Sequence, residues 1–184
     1  MKKFERRPWR LWRVAVLLLA TLLAAACGGG SSGPTAPPPP PAKGFVFTPG
    51  AGTTGITLAQ GAATTTTTFV LEVRATSVTD LYGVAFNLSY PNSVLHFTGA
   101  TAGTFLTGAS LQTVESPAGT VIVGLSKLGT AGGVDGSGVL LSLQFQAIAT
   151  GQGAFAFSRN TAINSSAATL SDLPWSAGTI SVTF

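Results

Sequence analysis

The chain has 184 residues, 45% hydrophobic and 9% charged, with ten Lys and Arg against six Asp and Glu for a formal net charge of +4. Six of the cations (Lys2, Lys3, Arg6, Arg7, Arg10 and Arg13) precede residue 14, and from residue 27 onward only Lys43, Arg74, Lys127 and Arg159 face Glu72, Asp80, Glu115, Asp135 and Asp172. The body is therefore close to neutral, which excludes a nucleic-acid surface built on clustered Lys and Arg, and its apolar content excludes intrinsic disorder.

Residues 1–26 read as a secretory signal peptide. A cationic stretch runs into VAVLLLATLLAAA, Val14 to Ala26, the n-region and h-region of an export signal. The run is shorter than the roughly 20 residues of a transmembrane helix. Cys27 is the single cysteine and has no partner for an internal disulfide. Ala24-Ala25-Ala26-Cys27 resembles the lipobox of bacterial lipoproteins, in which the thiol is diacylglycerated and the chain is cut just before it. Ala24 and Ala26 also satisfy an ordinary A-x-A site, so a soluble secreted chain cut at the same bond is the alternative. From Gly28 to Lys43 six of sixteen residues are proline. Such a tether buries nothing and stays extended, spanning roughly 50 Å at about 3.1 Å per residue. The expected organisation is a leader at 1–26, a lipidated Cys27 with its Gly/Ser/Pro-rich linker at 27–43, and a folded body at 44–184. The expected place is the cell envelope, anchored through the lipid on Cys27; Gly28 after the cysteine favours the outer membrane or cell surface in a diderm host.

The body shows no helical periodicity; its apolar positions recur every second residue between stretches rich in Gly, Thr, Ser and Asn. Short strands are expected at Phe45 to Thr48 and Gly55 to Leu58. In Phe69 to Arg74, the residues Phe69, Leu71 and Val73 face one way and Glu72 and Arg74 the other. Tyr82 to Tyr90 repeats this with Val84, Phe86, Leu88 and Tyr90 inward, and Ala85, Asn87 and Ser89 outward. Further strands are expected at Val94 to Phe97, Leu111 to Glu115, Val121 to Leu125, Val139 to Phe145, Ala154 to Ser158 and Ile180 to Phe184. Pro49-Gly50, Pro91-Asn92, Pro117-Ala118-Gly119 and the stretch Gly129 to Gly138 mark turns. About nine short strands imply an all-β, two-sheet sandwich.

The order of elements resembles the cohesin domain family. Gly83-Val84-Ala85-Phe86-Asn87-Leu88-Ser89-Tyr90-Pro91-Asn92-Ser93-Val94-Leu95 is similar to the family's strand that ends in an aromatic, turns and continues with a Val-Leu pair. Gly138 to Phe145 resembles a later strand, and Gly151 to Phe157 and Gly178 to Val182 resemble the Gly-led strands that close the domain. The resemblance implies a nine-stranded jelly roll related to some carbohydrate-binding modules, and a partner that is a dockerin-like protein in polysaccharide-related or envelope assemblies. Dockerin-binding members place Asn or Asp where Gly83 and Ala85 stand here. The candidate partner face is Ala85, Asn87 and Ser89 on one strand with Ile122, Gly124 and Ser126 on its neighbour, a flat and neutral surface suited to a protein.

Catalysis needs converging titratable groups, and none is signalled. His96, the single histidine, is expected on the surface, and no two acids of the body lie within seven residues of each other. Asp135-Gly136-Ser137-Gly138 lacks the further acidic ligands of a calcium loop and reads as a turn. No cofactor and no enzyme activity are expected. One alternative function is carbohydrate binding on an aromatic platform, with Trp175, after Pro174 in a loop, and Tyr82 as candidates. The other is a structural role in an envelope or secretion assembly.

Overall fold

A computed structural model of the chain describes residues 44–130 and 132–183. The expectations for the leader at 1–26, for Cys27 with its linker and for Phe184 lie outside the described residues. Among the described residues there are ten strands: β1 (Gly44–Pro49), β2 (Gly55–Gln60), β3 (Thr68–Ser89), β4 (Leu95–Ala102), β5 (Ser110–Glu115), β6 (Thr120–Ser126), β7 (Val134–Ala147), β8 (Gly151–Asn164), β9 (Trp175–Ser176) and β10 (Gly178–Thr183). The domain is all-β, as the alternation predicts.

The pairings arrange these strands in two layers that share β3. The N-terminal half of β3 lies between β7 and β2, with β4 beyond β7 and β9 beyond β2. Its C-terminal half lies between β6 and β8, with β5 outside β6 and β10 then β1 outside β8. All of these pairs are antiparallel except β2 with β9. The sequence reading separates Phe69 to Arg74 from Tyr82 to Tyr90, whereas the chain runs through both as one 22-residue strand.

That strand changes layers at a bend. Ser77 (φ 53°) and Asp80 (φ 50°) take the left-handed conformation, and the register against β7 shifts on each side of Val78. For a non-glycine residue this conformation costs roughly 1–2 kcal/mol, and bonds from neighbouring strands offset it. The Ser77 amide donates to Ser137 Oγ (2.8 Å), the Asp80 amide to Asp135 Oδ1 (2.7 Å), and Ser165 Oγ to Asp80 Oδ2 (3.0 Å). Asp135 to Gly138 is therefore no free turn: it lies within β7, and Asp135 and Ser137 hold the bend. The inward set switches from Phe69, Leu71 and Val73 to Val84, Phe86 and Leu88 across it.

The core fills the space between the layers. Phe69 in one layer meets Phe45 of β1 (ring centroids 5.3 Å apart) and Phe155 of β8 (6.1 Å) in the other, and Phe145 meets Phe155 at 5.8 Å. Full burial of each such ring is worth about 1.5–3 kcal/mol. In β7 both Leu140 and Leu141 are buried, against strict alternation, because the pairing with β3 skips Leu140 at a bulge. The loop after β4 covers the skipped residue: the Gly103 amide donates to the Leu140 carbonyl (2.8 Å) and Leu106 is buried alongside. Among the described residues no polar or charged residue is fully buried, and no helix is long and apolar enough to cross a membrane.

Candidate functional site

The face that the sequence singles out is the outer surface of the layer β5-β6-β3-β8. Register sets it in rows. Ser110, Ser126 and Gly83 lie side by side on β5, β6 and β3; the next row is Gln112, Gly124, Ala85 and Thr161 of β8; the next is Val114, Ile122, Asn87 and Ser158. Inward neighbours such as Val84, Phe86, Val123 and Leu125 are buried, so the alternation that builds the core also presents this face. None of the side chains in these rows is charged. Val114 is 55% exposed and Ile122 37%, so the face keeps aliphatic surface in water.

The six predicted residues do come together, and the structure corrects one part of the expectation: the face is not flat. Where Gly83, Ala85 and Gly124 stand, the absence of side chains leaves a hollow of about 310 Å³. Ser110, Gln112 and Ser126 wall it on one side, Thr161 and Ile163 on the other. A Cβ added at Gly124 would meet nothing within 4 Å, so the hollow is open there, whereas one at Gly83 would lie 3.0 Å from the Leu125 carbonyl oxygen and Ser126 Oγ. Two of the polar candidates are partly engaged already: Ser89 Oγ donates to the Ala156 carbonyl (3.3 Å) and Ser126 Oγ to the Lys127 carbonyl (3.0 Å). Asn87 is half-buried and Ala85 exposed.

Sequence reasoning missed the two flanks. Gln112 and Val114 were legible from the alternation in Leu111 to Glu115. The β8 wall was not, because a bulge between the Asn87 and Ala85 rows sets two residues, Arg159 and Asn160, opposite Phe86 alone, and the one extra residue reverses which residues face out.

The aromatic candidates are placed otherwise than expected. Trp175 is not in a loop: it begins β9, beside Ile56 of β2, and its half-buried ring sits 5.6 Å from Phe86 and 5.1 Å from Phe157, both edge-on. It packs against the core rim instead of standing clear as a sugar platform. Tyr82 is half-buried too, and its hydroxyl donates to the Gly129 carbonyl (2.7 Å). His96 is exposed on β4, in the other layer. Among the described residues no three His, Cys, Asp or Glu side chains gather to hold a metal.

One polar cluster lies at the end of the sandwich where β3 leaves the sheet. The buried Tyr90 hydroxyl donates to Glu115 of β5, and the Gly119 amide donates to the same carboxylate oxygen (2.9 Å). Burial, then the bond to Glu115, pushes the Tyr90 hydroxyl up to about 12. The bond from Tyr90, then the one from Gly119, holds the Glu115 carboxyl below its ordinary value.

The family model for the cohesin domain matches residues 54–182, and the chain belongs to the cohesin domain family. Solved structures carry the same fold. A type II cohesin domain from the cellulosome of Acetivibrio cellulolyticus superposes with a TM-score of 0.57 at 12% identity, over 69% of this chain and 95% of that one. The cohesin module of a family 33 glycoside hydrolase from Clostridium perfringens gives 0.56 at 11%, over 71% and 97%. A type II cohesin–X–dockerin complex from Acetivibrio cellulolyticus, an N-terminal interface mutant, gives 0.56 at 16%, over 64% and 91%. No curated protein matches.

Proposed function

We propose that the chain is a non-catalytic docking module, held at the outer face of the cell envelope by a lipid on Cys27, whose partner is a dockerin-bearing protein. The observation that carries this reading is the uncharged outer face of β5-β6-β3-β8 with its hollow at Gly83, Ala85 and Gly124. Protein interfaces use such a surface: an apolar centre that excludes water, ringed by small polar groups. The solved cohesin–dockerin complex with the same fold supports the choice of partner. The packing of Trp175 against Phe86 and Phe157 favours the docking reading over a sugar platform.

Binding of purified dockerin modules to the full-length chain, immobilised in mild detergent, tests the reading. Gly124→Arg fills the hollow at a position where a side chain meets no neighbour, so the expected outcome is loss of dockerin binding with an unchanged melting temperature. Dockerin binding that survives Gly124→Arg, or none across a broad panel of dockerins, overturns it.

A further inference from the structure

Two cations, Lys127 and Arg159, lie one and two positions along the chain from the hollow-lining Ser126 and Thr161, and neither makes an ion pair among the described residues. Of the cations after the leader, Arg74 is paired with Glu72 at 2.7 Å, while Lys127 and Arg159 make no ion pair among the described residues. The acids are largely engaged inside the fold. Glu72 holds Arg74, Glu115 takes Tyr90 and Gly119, and Asp80 and Asp135 hold the bend of β3. The chain is net negative after residue 26, yet among the described residues Lys127 and Arg159, which adjoin strands of the uncharged face, are cations without an ion pair.

Arg159 is the more informative of the two. It sits in the β8 bulge, between Ser158 opposite Asn87 and Thr161 opposite Ala85, and Thr161 lines the hollow. Two residues of β3 separate those rows, about 7 Å at roughly 3.4 Å per residue, within reach of an arginine side chain. Arg159 also has a φ of 49°, a left-handed conformation that glycine takes freely and arginine at a cost. At Ser77 and Asp80 bonds to the backbone amides offset the same strain. Arg159 is exposed and makes no side-chain hydrogen bond among the described residues. Non-glycine residues held in this conformation cluster at functional surfaces. Lys127 follows Ser126 at the end of β6, so the two cations come from chain segments on opposite sides of β3.

Resting on the docking reading above, we infer that Arg159 selects the partner's charge: the element that seats an aliphatic or aromatic side chain in the hollow carries an Asp or Glu beside it that pairs with Arg159. The hollow supplies apolar burial and excludes water. Arg159 sets register and rejects partners with a cation at that place, and with Lys127 it speeds the encounter. The complementary partner surface is an apolar side chain flanked by acid.

A display library of a small helical scaffold, with one helix face randomised, is selected against the full-length chain in detergent. Clones whose binding is lost on Gly124→Arg are kept, since these use the hollow. The expected result is enrichment of Asp or Glu beside an aliphatic or aromatic residue. Arg159→Glu then weakens those clones about ten-fold, mostly through slower association, with the gap closing as salt rises. Replacing the clone's acid by Lys restores binding to Arg159→Glu. Arg159→Gly, which accepts the left-handed backbone, controls for folding and weakens binding less. Hollow-dependent clones with no acidic preference, or indifferent to Arg159→Glu, overturn the assignment and leave the docking reading standing. Failure to obtain any hollow-dependent clone overturns both.

Discussion

The Tyr90 hydroxyl ties together three parts of the chain. It donates to Glu115, 25 positions away, and accepts from the Phe97 amide at 3.4 Å. Removing it in Tyr90→Phe leaves the Glu115 carboxylate with only the Gly119 amide, and the expected loss is about 1–3 kcal/mol in urea unfolding at neutral pH. The pH response has two arms. Glu115 is held below its ordinary 4.5, so its contribution is complete above that value and is lost as the pH falls below it. Tyr90 is raised from 10.0 to about 12, so its contribution is complete below 10.0 and is lost as the pH climbs toward about 12. Urea midpoints measured across pH should show both losses in the native chain, and Tyr90→Phe should abolish the alkaline one and shrink the acid one. An alkaline loss that persists in Tyr90→Phe would place its origin elsewhere. Half of this pair is legible beforehand: alternation turns Tyr90 inward, but nothing local says that Glu115 awaits it.

At the scale of elements, β3 decides where the proposed docking face lies, because its second half forms the floor of the hollow only after the chain has changed layers. The bend leaves little room. A Cβ at Gly133 would lie 2.5 Å from the Asp80 carbonyl carbon and oxygen, closer than real contacts allow. Gly133→Val should therefore destabilise the domain by about 1–3 kcal/mol, read as a lowered melting temperature, and an unchanged melt would show that the bend yields easily. The strand segments on both sides of the bend are plain in the sequence, since Phe69, Leu71 and Val73 and then Val84, Phe86 and Leu88 each keep a period of two. Their union is not, because the left-handed Ser77 and Asp80 are held by Ser137, Asp135 and Ser165, up to 85 positions away. The same reason explains the misplacement of Asp135 to Gly138: its Gly and Ser residues suit a turn locally, and only pairing with β3 makes it strand. Trp175 follows suit, a loop residue by its Pro174 neighbour and a packed ring once Phe86 and Phe157 surround it.

For the molecule as a whole, charge is divided by role. The acids of the body mostly serve its internal bonds, and among the described residues Lys127 and Arg159 make no ion pair. The proposed anchor makes a separate prediction: labelled palmitate should enter the chain in a bacterial host and fractionate with membranes, and Cys27→Ser should abolish the label and release the chain. Absence of label in the native chain would leave the docking face intact and remove the lipid from the proposal.

By itself the sequence determined the all-β class, the inward residues, the near-neutral body and the six residues of the face, because the two-residue period of a strand is a local property that burial on one side imposes. Only the tertiary structure decided that β3 is continuous, that the face is hollowed at Gly83, Ala85 and Gly124, and that most of the acids are engaged while Arg159 makes no ion pair among the described residues. These depend on sheet register between residues far apart in the chain, which is set by the packing of the whole sandwich and leaves no trace in any short window.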